Sequence, residues 1–194
     1  TLEEPIEFQI EQIRQTAIQK EQGLDFAAGV RGLLRMDPDI ILIGEIRDPQ
    51  TAQMALRAAM TGHQVYSTLH CNDALGALPR LIDLGLNPRI LASNLSGLVA
   101  QRLVRTLCPH CHFLYEASEE EKRLLCHPLH EKLKLANAKG CTHCHGTGRQ
   151  GRTVIAEIIT PSSQLNELLA ANAPHSALWQ EARTNGLITM QEHG

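Results

Sequence analysis

The stretch from Met36 to Asp48, M-D-P-D-I-I-L-I-G-E-I-R-D, constrains the fold more than any other part of the chain. At its centre, Ile40 to Ile43 are four aliphatic residues with no polar side chain between them. Strands of a parallel sheet read this way, because helices cover both faces of the sheet. The run therefore predicts a strand buried on both faces within an α/β fold. It ends at Gly44-Glu45, which sets a carboxylate just past the carboxyl end of the strand. Open α/β sheets bind their ligands along that edge. Taken alone, the pattern also describes a core strand with a solvated Glu at its tip.

The flanking residues extend the strand into a unit. Asp48-Pro49 is an N-cap and N1 pair, opening a helix from Pro49 to about Thr61 that closes at Gly62. Val65 to Leu69 reads as a second strand, so the segment is strand–helix–strand with parallel strands. His63 precedes the second strand. His70 follows it and so shares the carboxyl edge with Glu45. Upstream, Leu24 to Met36 is expected to be helical, with Asp25 as N-cap and Phe26, Val30, Leu33 and Leu34 on one face. Pro38 ends that helix. Ile6 to Ile18 alternates only patchily and predicts two short strands or an extended arm. At the start, T-L-E-E-P-I-E crowds Glu3, Glu4 and Glu7 around Pro5. A cation would relieve their mutual repulsion, although an exposed acidic turn has the same composition.

Beyond the strand–helix–strand unit, helices are expected over Asn72–Leu84 and Pro88–Leu107, separated by Gly85. The second would carry Ile90, Leu91, Leu95, Leu98, Val99 and Leu103 on an apolar face. Next come Cys108-x-x-Cys111 and Cys141-x-x-Cys144. Two such knuckles about 30 residues apart can supply four thiolates in a tetrahedron, the usual structural zinc arrangement. His110, His112, His143 and His145 are alternative ligands, but four thiolates already close the shell. Cys71 and Cys126 have no partner knuckle and read as ordinary thiols. Between the knuckles, Ser118-Glu119-Glu120-Glu121 is a helix N-terminus with acids well placed for the dipole. Thr153 to Ile159 reads as a strand, and Ser162–Ala171 and Pro174–Thr184 as two short helices, with no clear closing element after them.

The net charge of −3 and pI of about 6.3 give no basic footprint for nucleic acid. No apolar run approaches the ~20 residues a membrane span needs. None of the lysines follows a glycine, so the 194 residues contain no G-x-x-x-x-G-K-[ST] phosphate loop.

Four blocks in order give the chain a family resemblance. T-L-E-E-P-I-E (1–7) is similar to an Asp box. L-L-R-M-D-P-D-I-I-L-I-G-E-I-R-D (33–48) resembles a Walker B block, T-G-H-Q-V-Y-S-T-L-H-C-N-D-A (61–74) a His box, and the paired C-x2-C a zinc-binding insertion. Together they resemble the carboxyl-terminal half of the ATPases of type II secretion and type IV pilus assembly, the GspE/PilB group with its HofB-like members. Three positions depart from the usual pattern: Glu4 stands for Asp, Cys71 for Thr and Met36 for Gln.

The resemblance implies a RecA-like P-loop NTPase core over 1–107, a tetracysteine zinc module over 108–148 and a strand with a helical subdomain over 149–194. It further implies ATP, Mg²⁺ and Zn²⁺ as cofactors. Glu45 would take the Walker B role, Glu3 and Glu4 the Asp-box role, and Arg47 would contact nucleotide. His63 and His70 would sense the γ-phosphate or touch a neighbouring subunit, and Cys108, Cys111, Cys141 and Cys144 would hold zinc. The expected setting is a cytoplasmic homo-hexamer, peripheral at the inner membrane, with platform and adaptor proteins as partners. Two other readings compete: a non-enzymatic zinc-ribbon interaction module, and a truncated inactive remnant of such a motor.

Overall fold

The aliphatic run Ile40–Ile43 is a strand, and it pairs on both sides. A computed structural model describes residues 1–193. In chain order its elements begin with β1 (Leu2–Glu3), β2 (Thr16–Ala17), α1 (Phe26–Leu33), β3 (Ile40–Ile43), α2 (Pro49–Met60), β4 (Gln64–Ser67), α3 (Ala77–Asp83) and α4 (Pro88–Asn94). They continue with β5 (Leu98–Leu107), β6 (His112–Glu116), α5 (Glu119–Leu124), β7 (Lys134–Ala138), β8 (Arg149–Ile159), α6 (Ser163–Ala170), α7 (His175–Thr184) and α8 (Met190–His193).

Two compact units result. One comprises Thr1–Ala100 with Ile158–Leu187, the other Gln101–Glu157 with the residues from Ile188 onward. The first holds a sheet of order β2-β1-β3-β4, whose pairings are all parallel. Ile40 lies opposite Gln64 and Ile43 opposite Ser67, as the strand–helix–strand reading requires. The caps that set this unit are local. Asp48 accepts the Thr51 N–H at 2.8 Å and its hydroxyl at 2.7 Å, and Pro49 takes N1. At the other end of α2, Gly62 adopts φ 96°, which a side chain would resist. Asp25 caps α1 through Ala28 N–H at 2.7 Å. Ala52, Ala55 and Ala58 of α2 join Val30, Ile41 and Ile43 in the core, small residues that let the helix approach the sheet closely. Further along, α4 packs on α6, and α6 on α7.

The expectation that β3 is buried on both faces is corrected. Ile41 and Ile43 are fully buried, but Ile40 is 65% and Leu42 38% exposed. Successive side chains of a strand point to opposite faces. The helices cover the Ile41/Ile43 face, while Ile40, Leu42 and Tyr66 stand exposed on the described residues. An aliphatic run cannot show which of its faces its own segment covers.

The helix expected over Pro88–Leu107 is also corrected. It stops at Asn94, and from Leu98 the chain is extended and pairs with β8. The apolar spacing suggested a helix, but Val99, Val104 and Thr106 are β-branched and suit a strand. Likewise the helix expected over Asn72–Leu84 is confined to Ala77–Asp83, because Asp73 holds the preceding turn by accepting Gly76 N–H at 2.7 Å. Between Ile6 and Ile18 only Thr16–Ala17 is strand, and α1 ends at Leu33, before Pro38.

In the second unit, β6 and β7 form an antiparallel pair with His112 opposite Ala138 and Glu116 opposite Lys134. Ser118 makes a full capping box with Glu121 at the start of α5, as its sequence predicts.

One-sided burial of β3 is directly measurable. Ile41→Ala is expected to lower unfolding free energy by about 2–5 kcal/mol, and Ile40→Ala by less than about 1 kcal/mol. Chemical denaturation of the two variants checks this; equal losses would show that both faces are packed.

Candidate functional site

Three strand ends meet along the carboxyl edge of the first unit's sheet. Leu2 pairs with Ile43, and Gly44 N–H donates to the Leu2 carbonyl at 2.7 Å, so Glu3 falls opposite Gly44 and Glu45 follows one residue beyond, on adjacent parallel strand ends. A Cβ on Gly44 would sit 3.5 Å from the Glu3 Cα and 3.0 Å from the Leu2 carbonyl oxygen, which explains why a glycine precedes Glu45. From the other flank, the Thr68 hydroxyl donates to the Gly44 carbonyl at 2.6 Å, and Ile46 N–H donates to the Thr68 carbonyl at 3.0 Å. This ties the segment leading to His70 against the same edge.

Glu45 is held by two cationic or potentially cationic groups. Arg47 Nε donates to its Oε2 at 2.5 Å, and His70 Nε2 lies 3.4 Å from the same oxygen. Only 14% of the Glu45 side chain is exposed, against 63% for Arg47 and 83% for His70. A partly covered carboxylate thus faces two solvent-exposed partners that can reorient toward an incoming anion. Glu3 Oε1 accepts from the Thr1 hydroxyl and from Gln15 Nε2 at 3.0 Å. The Thr1 hydroxyl, then the Gln15 amide, hold its carboxyl below the usual range by favouring the charged form. Glu4 is exposed, and its peptide bond to Pro5 is cis. Two carboxylates on one edge offer hard oxygen donors that suit Mg²⁺.

The structure separates the two histidines. His70 joins the Glu45 edge. His63 lies at the opposite, amino end of β4, where its Nδ1 is 3.0 Å from the Ala58 carbonyl and 3.1 Å from the Thr61 hydroxyl, closing the end of α2. Sequence reading assigns no role to Gln15 or Thr68, which contact the edge: Gln15 lies in a stretch with no motif, and Thr68 sits inside the His-box block as a strand residue.

The four knuckle cysteines come together in the second unit. Their sulfurs all lie within 4.8 Å of one another, with Cys108–Cys141 and Cys111–Cys144 at 3.9 Å and Cys141–Cys144 at 3.8 Å. These distances are too long for disulfides. They match the ~3.8 Å edge of a sulfur tetrahedron built on metal–sulfur bonds of about 2.3 Å. The β6–β7 register brings the knuckles together, since β6 starts after Cys111 and β7 ends before Cys141; Lys139 N–H then reaches the Cys111 carbonyl at 3.3 Å. Cys108 N–H closes the other side on the Gly148 carbonyl at 2.9 Å. A Cβ at Gly140 would collide with the Gly146 carbonyl, so the second knuckle needs its glycine.

Burial pushes the Cys144 thiol up, but N–H groups of Cys141 and Gly148, 3.1 and 3.2 Å from its sulfur, outweigh this and bring it down to about 6. Burial and the neighbouring sulfurs push Cys111 up to about 12. Backbone N–H groups thus favour the charged form at Cys144, while burial opposes it at Cys111. Four sulfurs of this kind can hold one metal ion. Cys71 is half-buried and Cys126 exposed, and neither is in a disulfide.

Comparisons with known proteins place the chain in a family. The chain is 46% identical over 183 residues to type II secretion system ATPase E of Vibrio cholerae, covering 94% of this chain and 36% of that one. It is 43% identical over 196 residues to the type IV pilus assembly ATPase TfpB of Acinetobacter baylyi, covering all of this chain and 34% of that one. It therefore spans about a third of the length of these curated relatives. Among solved structures, the pilus retraction motor PilT with bound ADP superposes at a TM-score of 0.60 and 25% identity, over 99% of this chain and 50% of that one. The Legionella pneumophila ATPase DotB superposes at 0.65 and 24% identity, over 97% and 44%, and shows the same fold. The architecture is that of the P-loop NTPases. Residues 1–194 match throughout, and the chain belongs to the Type II/IV secretion system protein family.

Proposed function

We propose that this chain is the carboxyl-side part of a hexameric motor ATPase that couples ATP hydrolysis to type II protein secretion or type IV pilus assembly. The observation that carries the reading is Glu45, set past the end of β3 next to the strand end that bears Glu3, and touched by Arg47 and His70. Phosphoryl transfer needs chiefly positioning and charge stabilisation. Glu45 takes the Walker B role, ordering water or contacting Mg²⁺. Glu3, with Glu4 beside it, supplies further carboxylate to the same edge. A bound Mg²⁺ would neutralise charge developing on the phosphates. Arg47 and His70, exposed and already turned to this edge, contact the nucleotide's phosphates. His63, at the other end of β4, faces a neighbouring subunit. No helix among the described residues is long and apolar enough to cross a membrane. The reading places the motor in the cytoplasm, docked on inner-membrane platform and adaptor proteins.

The cysteine cluster is proposed to bind Zn²⁺. Four soft thiolates select zinc among common cellular divalent ions, and they leave no open position for water, so the role is structural. The metal would cross-link the two knuckles. Metal binding releases thiol protons, so affinity falls as pH drops.

Glu45→Gln in a full-length ATPase carrying this segment is expected to cut kcat about 100-fold or more while nucleotide still binds; turnover at the wild-type rate would remove Glu45 from the site. The 194-residue chain on its own is expected to hydrolyse ATP negligibly, because it holds no phosphate-loop lysine. Steady-state phosphate release by the purified chain, compared with an intact relative, measures this.

Protein purified without added metal should contain one zinc per chain by elemental analysis. Cys108→Ser should open the second unit to protease while β3, α2 and β4 stay protected, since structural zinc contributes on the order of 10 kcal/mol to small modules. A zinc content near zero, with the segment still resistant, would give the cysteines another purpose.

A further inference from the structure

We propose that Gln15 is a positioning residue for Glu3, fixing that carboxylate at the sheet edge through a braced loop; this rests on the reading of Glu3 as a site acid. Gln15 follows the β1–β2 loop and stands next to Thr16, which pairs with Leu2. Thr16 N–H donates to the Thr1 carbonyl at 3.0 Å and Ile18 N–H to the Glu3 carbonyl at 2.8 Å, so the backbone at Gln15 is anchored to β1. From there the side-chain amide reaches back with both of its functions. Nε2 donates to Glu3 Oε1 at 3.0 Å and to the Phe8 carbonyl at 2.9 Å, while Oε1 accepts the Ile10 N–H at 2.8 Å. One side chain thus ties the acid, the middle of the loop and the returning strand.

The loop needs such a brace. Phe8, Ile10 and Ile13 are exposed, so no apolar burial orders it from within. Glu3 needs one too, because a glutamate side chain with free rotamers dilutes any single pose of its carboxylate. The Thr1 hydroxyl and the Gln15 amide both bond Oε1, which leaves Oε2 available for a cation or water. Donors to the charged oxygen also keep Glu3 ionised. The other carboxylates near it are Glu4, next in the chain, and Glu45, on the neighbouring strand end.

A loop brace alone would be satisfied by the Phe8 and Ile10 bonds. The bond to Glu3 is what makes Gln15 act through the acid, and a double-mutant cycle separates the two. In a full-length ATPase carrying this segment, Gln15→Ala is expected to lower kcat about 10–100-fold, the usual effect of removing an outer hydrogen-bond partner, with KM for ATP nearly unchanged. Gln15→Glu has the same shape and keeps the acceptor for Ile10 N–H, but sets a carboxylate against Glu3; it should lose at least as much. Combined with Glu3→Gln, neither should cost anything further. In the 194-residue chain, carbon-13 NMR should show the Glu3 carboxyl titrating at higher pH in both variants. Losses that persist in the Glu3→Gln background would make Gln15 a loop brace and overturn the proposal, as would an unmoved Glu3 titration. If Glu3→Gln itself leaves turnover intact, the reading of Glu3 falls first and takes the proposal with it. Should Gln15→Ala unfold the loop, the isosteric Gln15→Glu decides alone.

Discussion

The hydrogen bond from Gly44 N–H to the Leu2 carbonyl holds the acidic edge together, because it fixes which residues of β1 and β3 end side by side. Sliding that pairing by one residue would send Glu3 to the other face of the sheet. Leu2 secures the register from its buried side. Its side chain is almost fully buried and lies so close to Gly29 of α1 that a Cβ there would come within 2.8 Å of it. Two glycines therefore frame one leucine: Gly29 admits its side chain, and Gly44 admits its backbone. With Thr68 bonded to the Gly44 carbonyl from the far side, three separate stretches of sequence share one short piece of strand end. The chemistry proposed for Glu3, Glu45 and His70 is a consequence of that backbone geometry.

Much of this unit is legible in the sequence because its signals are local. Asp48-Pro49 and Gly62 state where α2 begins and ends, and the caps are made within three residues. Asp25 and Ser118 announce their helices in the same way. The cysteine spacing is equally plain, since two C-x2-C knuckles leave few other arrangements. Failures occur where the deciding contact is distant. Leu98 to Leu107 carries apolar residues at intervals a helix would accept, and only pairing with β8, some 50 residues later, makes it a strand. The exposed face of β3 has the same origin, as Ile40 and Ile41 look alike until the helices are placed. The family resemblance gives His63 and His70 one shared role, although only His70 is read at the carboxyl edge with Glu45. The strand's own length sets them at opposite edges of the sheet, so only His70 reaches Glu45.

The cysteine cluster meets a charge problem opposite to that of the acidic edge. At the edge, Glu45 is partly covered yet has Arg47 within hydrogen-bond distance, so its charge is met within the described residues. At Cys111 and Cys144 no cationic side chain of the described residues is among the groups that shift the thiols. The compensation comes from backbone: Cys141 and Gly148 N–H groups on Cys144, and that of Gly140 on Cys111. These dipoles lower the Cys144 thiol against its burial, while burial first, then the neighbouring sulfurs, push Cys111 up to about 12. A cation among the four sulfurs would offset the charge of several thiolates at once, and the cluster is close enough to hold one. The glycines then have an electrostatic as well as a steric reason. Gly140 lets the second knuckle close tightly enough for its amide to reach Cys111, and the Gly146 carbonyl fills the space where any side chain would have stood. A larger residue at Gly140 would lose both the fit and the amide that steadies the charge. The metal affinity proposed for this unit would therefore depend on backbone shape as well as on the four cysteines.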